Sequence, residues 1–297
     1  MGLFTPVYMK GGLNLRQQRK ALDQVAAISS PDKLCRIAME APVNSVGMKA
    51  AECLNDAGML RRVAWEAPSL SVRRVALGKL TDADVLVSLA VTEPCLFDSC
   101  LTRLKELGEK QAVAKLFIEY SVADETQSIH AIDREYKSIA GKLRDIADQE
   151  IIEAVAKSAR KAELRAAAVE LLKNPEVLAG IARTDKASHV QLAAIVHPRF
   201  SDINVLSGIA NDAQLGLAKI RWSAALRLTE LSPEQAVRPV VALLMQTGGS
   251  KENQDLIRAA VQFLETRYKG AGQEERKCIA TLPNRKYGYD WKGPCWH

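Results

Sequence analysis

The last twenty residues, Cys278–His297, hold the densest set of side chains able to do chemistry. Cys278, Cys295 and His297 offer two thiolates and an imidazole, donors of the softness that zinc prefers. No Cys-x-x-Cys is present and the spacing matches no zinc finger. A fourth ligand would have to come from Asp290 or from elsewhere in the chain. The same segment carries Tyr287, Tyr289, Trp291 and Trp296, four of the chain's 15 aromatic residues within its last 11 positions, interleaved with Lys and Arg. Such a pattern suits a stacking platform for single-stranded nucleic acid. A third reading needs no ligand: the aromatic residues fold back and cap the last helices. All three readings stay open at this level.

A second cluster is basic. Arg61-Arg62 and Arg73-Arg74 are two guanidinium pairs close in sequence, which could contact phosphate through bidentate hydrogen bonds. The alternative is that these arginines pair with acids or carbonyls of neighbouring helices; Glu66 is at hand. The four histidines, His130, His189, His197 and His297, show no metal-binding helical spacing, and His197-Pro198 reads as a helix end. Gly11-Gly12 and Gly248-Gly249 lack the Lys-Ser/Thr that follows a phosphate loop. No nucleophile, base and acid can be assembled, so no catalytic residue is expected.

The elements that must position these groups announce themselves by repetition. Leu34-Cys-Arg-Ile-Ala-Met-Glu-Ala-Pro42 returns as Leu60-Arg-Arg-Val-Ala-Trp-Glu-Ala-Pro68, and again, degraded, as Leu86-Val-Ser-Leu-Ala-Val-Thr-Glu-Pro94. A fixed short period marks stacked supersecondary units. Each unit has one grammar. A short helix carries Leu-x-x-[Ile/Val]-Ala, a proline turns the chain, and a second helix follows, with Ser45 and Ser71 in N-cap position. Asp56 and Asp82 then open the next unit. Residues 109–147 break the period with a helix at 111–120 and a longer one carrying Ile129, Ile132, Tyr136, Ile139 and Leu143. The period resumes near residue 151, where Leu164-Arg-Ala-Ala-Ala168, Val190-Gln-Leu-Ala-Ala194 and Ile220-Arg-Trp-Ser-Ala224 answer Val72-Arg-Arg-Val-Ala76.

The [Val/Ile/Leu]-[Arg/Gln]-x-x-Ala opening of the second helix resembles HEAT repeats, and the short period is similar to compact HEAT-like units of bacterial proteins. The resemblance covers roughly 14–268. It implies an all-α fold, an α-solenoid of about eight short HEAT-like helical pairs (an alpha-alpha superhelix). It carries no catalytic residue over. One HEAT-like family removes alkylated bases from DNA. Trp222 beside Arg221 could imitate such a cleft, although Trp222 stands where a core aromatic is expected.

The expected organisation is a 1–29 N-terminal segment with a capping helix over 14–28, a 30–268 array containing the 109–147 irregularity, and a 269–297 basic aromatic tail. Net charge is +6, with +4 in residues 1–20 and +4 in residues 267–297, which leaves the body at −2. A nucleic-acid-binding array would carry its basic charge along the repeats. The six cysteines, the absence of a secretory leader and the absence of an apolar run long enough to span a bilayer point to reduced thiols and a cytoplasmic protein that is not in a membrane. The function expected is a non-catalytic scaffold or adaptor that binds another protein, without a cofactor unless the tail holds zinc. The alternatives are a nucleic-acid-binding protein, including a base-repair enzyme of the alkylbase glycosylase kind, and an accessory to the maturation or regulation of another enzyme.

Overall fold

The computed structural model describes residues 6–120, 129–212, 218–246 and 254–281. Among the described residues there are 18 α-helices, two short 3₁₀ turns and no strand. The chain forms two units, one of residues 1–137 with 159–161, the other of residues 138–158 with 162–297.

The first unit opens with α1 (Leu15–Ala26) and continues with three helix pairs: α2 (Pro31–Glu40) with α3 (Asn44–Cys53), α4 (Ala57–Glu66) with α5 (Leu70–Leu77), and α6 (Ala83–Thr92) with α7 (Phe97–Leu107). Helix α8 (Lys110–Glu119) follows, then the first turns of α9 (Ile129–Ile146). Within a pair the two helices pack on each other. Between pairs, α1, α3, α5 and α7 pack in series, as do α2 on α4 and α6 on α8. The second unit repeats the plan. Its pairs are α10 (Gln149–Ser158) with α11 (Ala162–Leu171), α12 (Pro175–Thr184) with α13 (Ser188–Val196), α14 (Ile203–Asn211) with α15 (Ala218–Leu231), and α16 (Pro233–Gln246) with α17 (Gln254–Gly270). A last helix, α18 (Gln273–Ala280), packs on α16 and α17.

Local chemistry explains the pairs. The side chains of Ser30, Asp56, Asp82, Asn174 and Asp202 cap the first helices by accepting a backbone N–H from the first turn. Such a cap is worth about 1 kcal/mol. At the corners, Ala41 and Ala67 are extended, with ψ of 124° and 131°, as the residue before a proline must be. The helices then bury one stripe: Leu34, Ile37 and Ala38 in α2, Leu60, Val63 and Ala64 in α4, and Leu86, Leu89 and Ala90 in α6.

Several expectations need correction. Ser45 and Ser71 lie inside α3 and α5. The N-caps there are Val43 and Ser69, and neither makes a side-chain cap hydrogen bond. Helix α1 is capped by an Asn14–Gln17 capping box, and Leu15, its first residue, is 84% exposed. Cys95 sits exposed in the Pro94–Leu96 turn, whereas Cys35 and Cys100 are buried. The expected tail begins as helix, because α17 ends at Gly270 and α18 follows.

The irregular stretch is an aromatic knot. In the first unit, Tyr120 stacks edge-on against Phe97 (centroids 5.0 Å apart) and Tyr136 (6.4 Å), and Phe97 against Phe117 (5.7 Å). The Tyr120 hydroxyl donates to the Glu135 carboxylate, which joins the end of α8 to α9. Tyr136, Ile139 and Leu143 are buried as expected, while the side chains of Ile129 and Ile132 lie outside the described residues.

Candidate functional site

Arg73, with Arg165 and Arg221, forms a structural ladder. Arg73 is 12% exposed at its side chain and turns inward. Its Nε donates to the carbonyl of Ala64 in the last turn of α4 (2.8 Å), and its other end lies 3.4 Å from Glu93, the C-cap of α6. Arg221, at the matching position of α15, donates to the Ala210 carbonyl near the end of α14 (3.3 Å) and to Gln246, the last residue of α16 (2.9 Å). Arg165 in α11 grips Asp185, the C-cap of α12, through two bonds of 2.7 and 2.8 Å. One rule covers all three. A cation on each second helix sits at the C-terminal end of a first helix, where unpaired carbonyls concentrate negative potential.

The second helices are closed in the same way. Lys79 donates to the Leu54 carbonyl at the end of α3, Arg103 to the Leu80 carbonyl just past α5 (2.9 Å), and Arg227 to the Pro198 carbonyl just past α13 (3.3 Å). Gly47 explains the missing rung. It occupies the position of Arg73 one repeat earlier, and a Cβ there would lie 3.0 Å from Val72 Cγ2 and 3.4 Å from the Ala38 carbonyl. Close helix approach replaces the ion pair.

The remaining members of the sequence-read cluster disperse. Arg74 is exposed and reaches the Cys95 carbonyl at 3.4 Å. Arg62 pairs with Glu66 on its own helix at 3.1 Å, as Arg36 does with Glu40 one period earlier at 3.0 Å. These two pairs, with Asp32, Cys35, Met39 and Met59, wall a groove of about 500 Å³ between α2 and α4. Its charges are balanced. Burial pushes the Cys35 thiol up, Arg62 pulls against it, Glu66, Asp32 and Asp56 add to the rise, and the net direction is upward, so the group stays protonated at neutral pH. Arg61 is exposed and has no ion pair among the described residues. The arrangement is therefore no concentrated anion site.

Trp222 and Arg221 do not line a cleft. Trp222 is fully buried with its indole N–H unpartnered, and Arg221 is 7% exposed and committed to the ladder. Cys278 lies on α18 beside a pocket of about 470 Å³ whose walls include Glu234, Arg238, Glu274 and Glu275. Burial raises the Cys278 thiol, opposed by Arg238. No group of three candidate metal ligands occurs among the described residues. Cys295, His297, Tyr287, Tyr289, Trp291 and Trp296 lie outside them. His189 is exposed, and His197 is buried at the end of α13.

The surface left on the second helices differs between units. In the first unit the outward positions of α3 and α5 hold Met48, Lys49, Glu52, Arg74 and Val75. In the second unit the corresponding stretch holds Ala166, Ala167 and Glu170 on α11 and Leu192, Ala193 and Val196 on α13. All of these are partly exposed, and Val196 is 61% exposed. The ladder could have been found from the recurring Arg of [Val/Ile/Leu]-Arg-x-x-Ala, and the carboxylates Glu93 and Asp185 each lie 20 residues after the arginine they meet. The chain matches no protein-family model and no curated protein sequence. No helix among the described residues is long and apolar enough to cross a membrane.

Proposed function

We propose that the chain is a HEAT-like α-solenoid that serves in the cytoplasm as a non-catalytic scaffold or adaptor and binds another protein through its second helices. The observation that carries this reading is the disposal of the arginines. Arg73, Lys79, Arg103, Arg165, Arg221 and Arg227, the basic side chains that recur with the helix pairs, are committed to helix ends inside the units. On α11 and α13 of the second unit, Ala166, Ala167, Leu192, Ala193 and Val196 are uncharged, partly exposed positions, bordered on α11 by the exposed Glu163 and Glu170. A face of that kind suits a protein partner, for which depletion of charge at the interface centre is the compositional signature. It does not suit a polyphosphate backbone, whose affinity rests on clustered cations.

The test compares partners and faces. The full chain is immobilised and its strongest protein partner from native lysate is identified, then remeasured in purified form. Ala167→Glu and Ala193→Glu should weaken that complex at least tenfold, while Arg62→Ala leaves it unchanged. Generic single- and double-stranded DNA and RNA should bind weakly at low salt. Tight nucleic-acid binding that falls steeply with added salt, unaffected by the Ala167 and Ala193 changes, would overturn the reading in favour of the nucleic-acid alternative.

A further inference from the structure

His197 occupies a rung of the ladder on which the neighbouring rungs carry permanent cations. Lys79 closes the end of α3, Arg103 the end of α5 and Arg227 the end of α13. The end of α11 is met instead by the His197 ring, which contacts the backbone of Glu170, the penultimate residue of that helix. The ring is 9% exposed, and its Nδ1 accepts the Arg199 backbone N–H at 3.2 Å. An imidazole nitrogen that accepts cannot carry a proton, so the ring is neutral with its hydrogen on Nε2. The same corner holds two more bonds. The Phe200 N–H donates to the His197 carbonyl at 2.9 Å, and the Phe200 side chain is fully buried. The next helix, α14, is capped by Asp202.

We propose that the corner between α13 and α14, residues 197–202, is an acid-released latch whose bolt is the hydrogen bond from Arg199 N–H to His197 Nδ1. A proton added to Nδ1 takes the lone pair that the Arg199 N–H uses. Two donors then face each other, and the imidazolium stands beside the Arg199 guanidinium. The charged groups that face the ring are Glu170 from α11 and Arg199 from its own loop. Arg227 of α15, itself paired with Glu230, holds the adjacent Pro198 carbonyl. Burial and Arg199 disfavour the charged ring, the Glu170 backbone and carboxylate favour it, and the net direction is downward from the ordinary histidine value. The corner is therefore closed at neutral pH, and protonation drives its release. The rungs formed by Lys79, Arg103 and Arg227 hold no imidazole, so the acceptor that a proton can take away is found only at this one among those described.

Hydrogen exchange of the intact chain between pH 7.5 and pH 5, corrected for intrinsic chemistry, reads the latch directly. The Arg199 and Phe200 amides should lose protection by up to about tenfold per pH unit once the pH falls below about 6.5. The Ala187 amide, held by Asp185 Oδ1 at 2.8 Å, should not change. In His197→Asn, whose amide oxygen accepts without titrating, the Arg199 and Phe200 amides should become independent of pH. Constant protection in the wild-type chain, or the same loss in His197→Asn, would overturn the proposal. Nitrogen NMR of the wild-type imidazole needs no variant: a deprotonated Nδ1 at neutral pH and a protonation midpoint below about 6.5 are expected, and a midpoint at or above that value sinks the latch.

Discussion

At the scale of the residue, burial decides which charges matter. Arg165 and Asp185 are 13% and 7% exposed at their side chains, and the Ala187 N–H also bonds Asp185. Arg62 and Glu66 are 60% and 55% exposed. Removing one partner of a buried pair strands the other and costs about 3 kcal/mol or more, whereas an exposed pair contributes at most about 1 kcal/mol. Arg165→Ala should therefore lower urea-unfolding stability by about 3 kcal/mol, and Arg62→Ala by less than about 0.5 kcal/mol. Burial raises the Asp185 carboxyl, but the Arg165 hydrogen bond and the Ala187 N–H outweigh it and hold the group below the usual carboxylate range. Its contribution is complete above about pH 4 and is lost as the pH falls through the depressed value. Arg165→Ala should flatten that acid limb in a stability-against-pH series. His197 acts at the other end of the range. Its lowered proton affinity means that the unfolded chain binds the proton first, so stability falls as the pH drops below about 6.5. His197→Asn should remove that slope. The Arg ladder was legible in the recurring [Val/Ile/Leu]-Arg-x-x-Ala, but the turn of Arg73 onto the Ala64 carbonyl and the acceptance of the Arg199 N–H by His197 Nδ1 are set by the fold.

At the scale of the element, the two helices of a pair start by different means. First helices rely on a side-chain cap; second helices begin at a corner set by proline and by packing. Asp56→Ala and Asp82→Ala should each cost about 1 kcal/mol, while Ser45→Ala and Ser71→Ala should stay within about 0.5 kcal/mol, read by chemical denaturation. The sequence pattern placed the caps on both kinds of helix because Ser is a good cap wherever a helix begins. It could not show that the chain enters α3 and α5 two residues earlier, at Val43 and Ser69. Gly47 carries a second lesson. With Val72 Cγ2 only 3.0 Å from where its Cβ would stand, Gly47→Arg should destabilise the α3–α5 contact by several kcal/mol, even though it restores the repeat consensus. Thermal melting of that variant checks whether packing or pattern governs the position.

At the scale of the whole molecule, the chain divides into two units with the same internal packing order. In each, a helix touches its pair partner and its counterparts in neighbouring pairs. Stability in such an order accumulates from nearest-neighbour interfaces. Truncating a central core leucine such as Leu86 or Leu178, both fully buried, should cost about 2–5 kcal/mol. The loss should appear first in the unit that contains it, as separate unfolding transitions followed by hydrogen exchange. The net positive charge of the chain lies at its two ends, and among the cations between them Arg73, Lys79, Arg103, Arg165, Arg221 and Arg227 close helix ends. This distribution weighs against a phosphate-tracking array and in favour of the protein-binding reading.

The amino-acid sequence by itself determined the all-α class, the pairing of helices, the proline corners, the long helix after residue 128 and the burial of Trp222, because periodicity and local chain geometry are written in consecutive residues. Only the tertiary structure decided which cations face solvent and which close helix ends, why Gly47 replaces an arginine, and that His197 is a neutral rung among charged ones. The closed helix ends rest on distances between residues about 10 to 30 positions apart in the chain, and the His197 rung on a corner folded so that its ring accepts the Arg199 N–H; there the low-dielectric surroundings and the direction of a neighbouring backbone group set the energy. Neither is encoded in the spacing of the residues that respond to them.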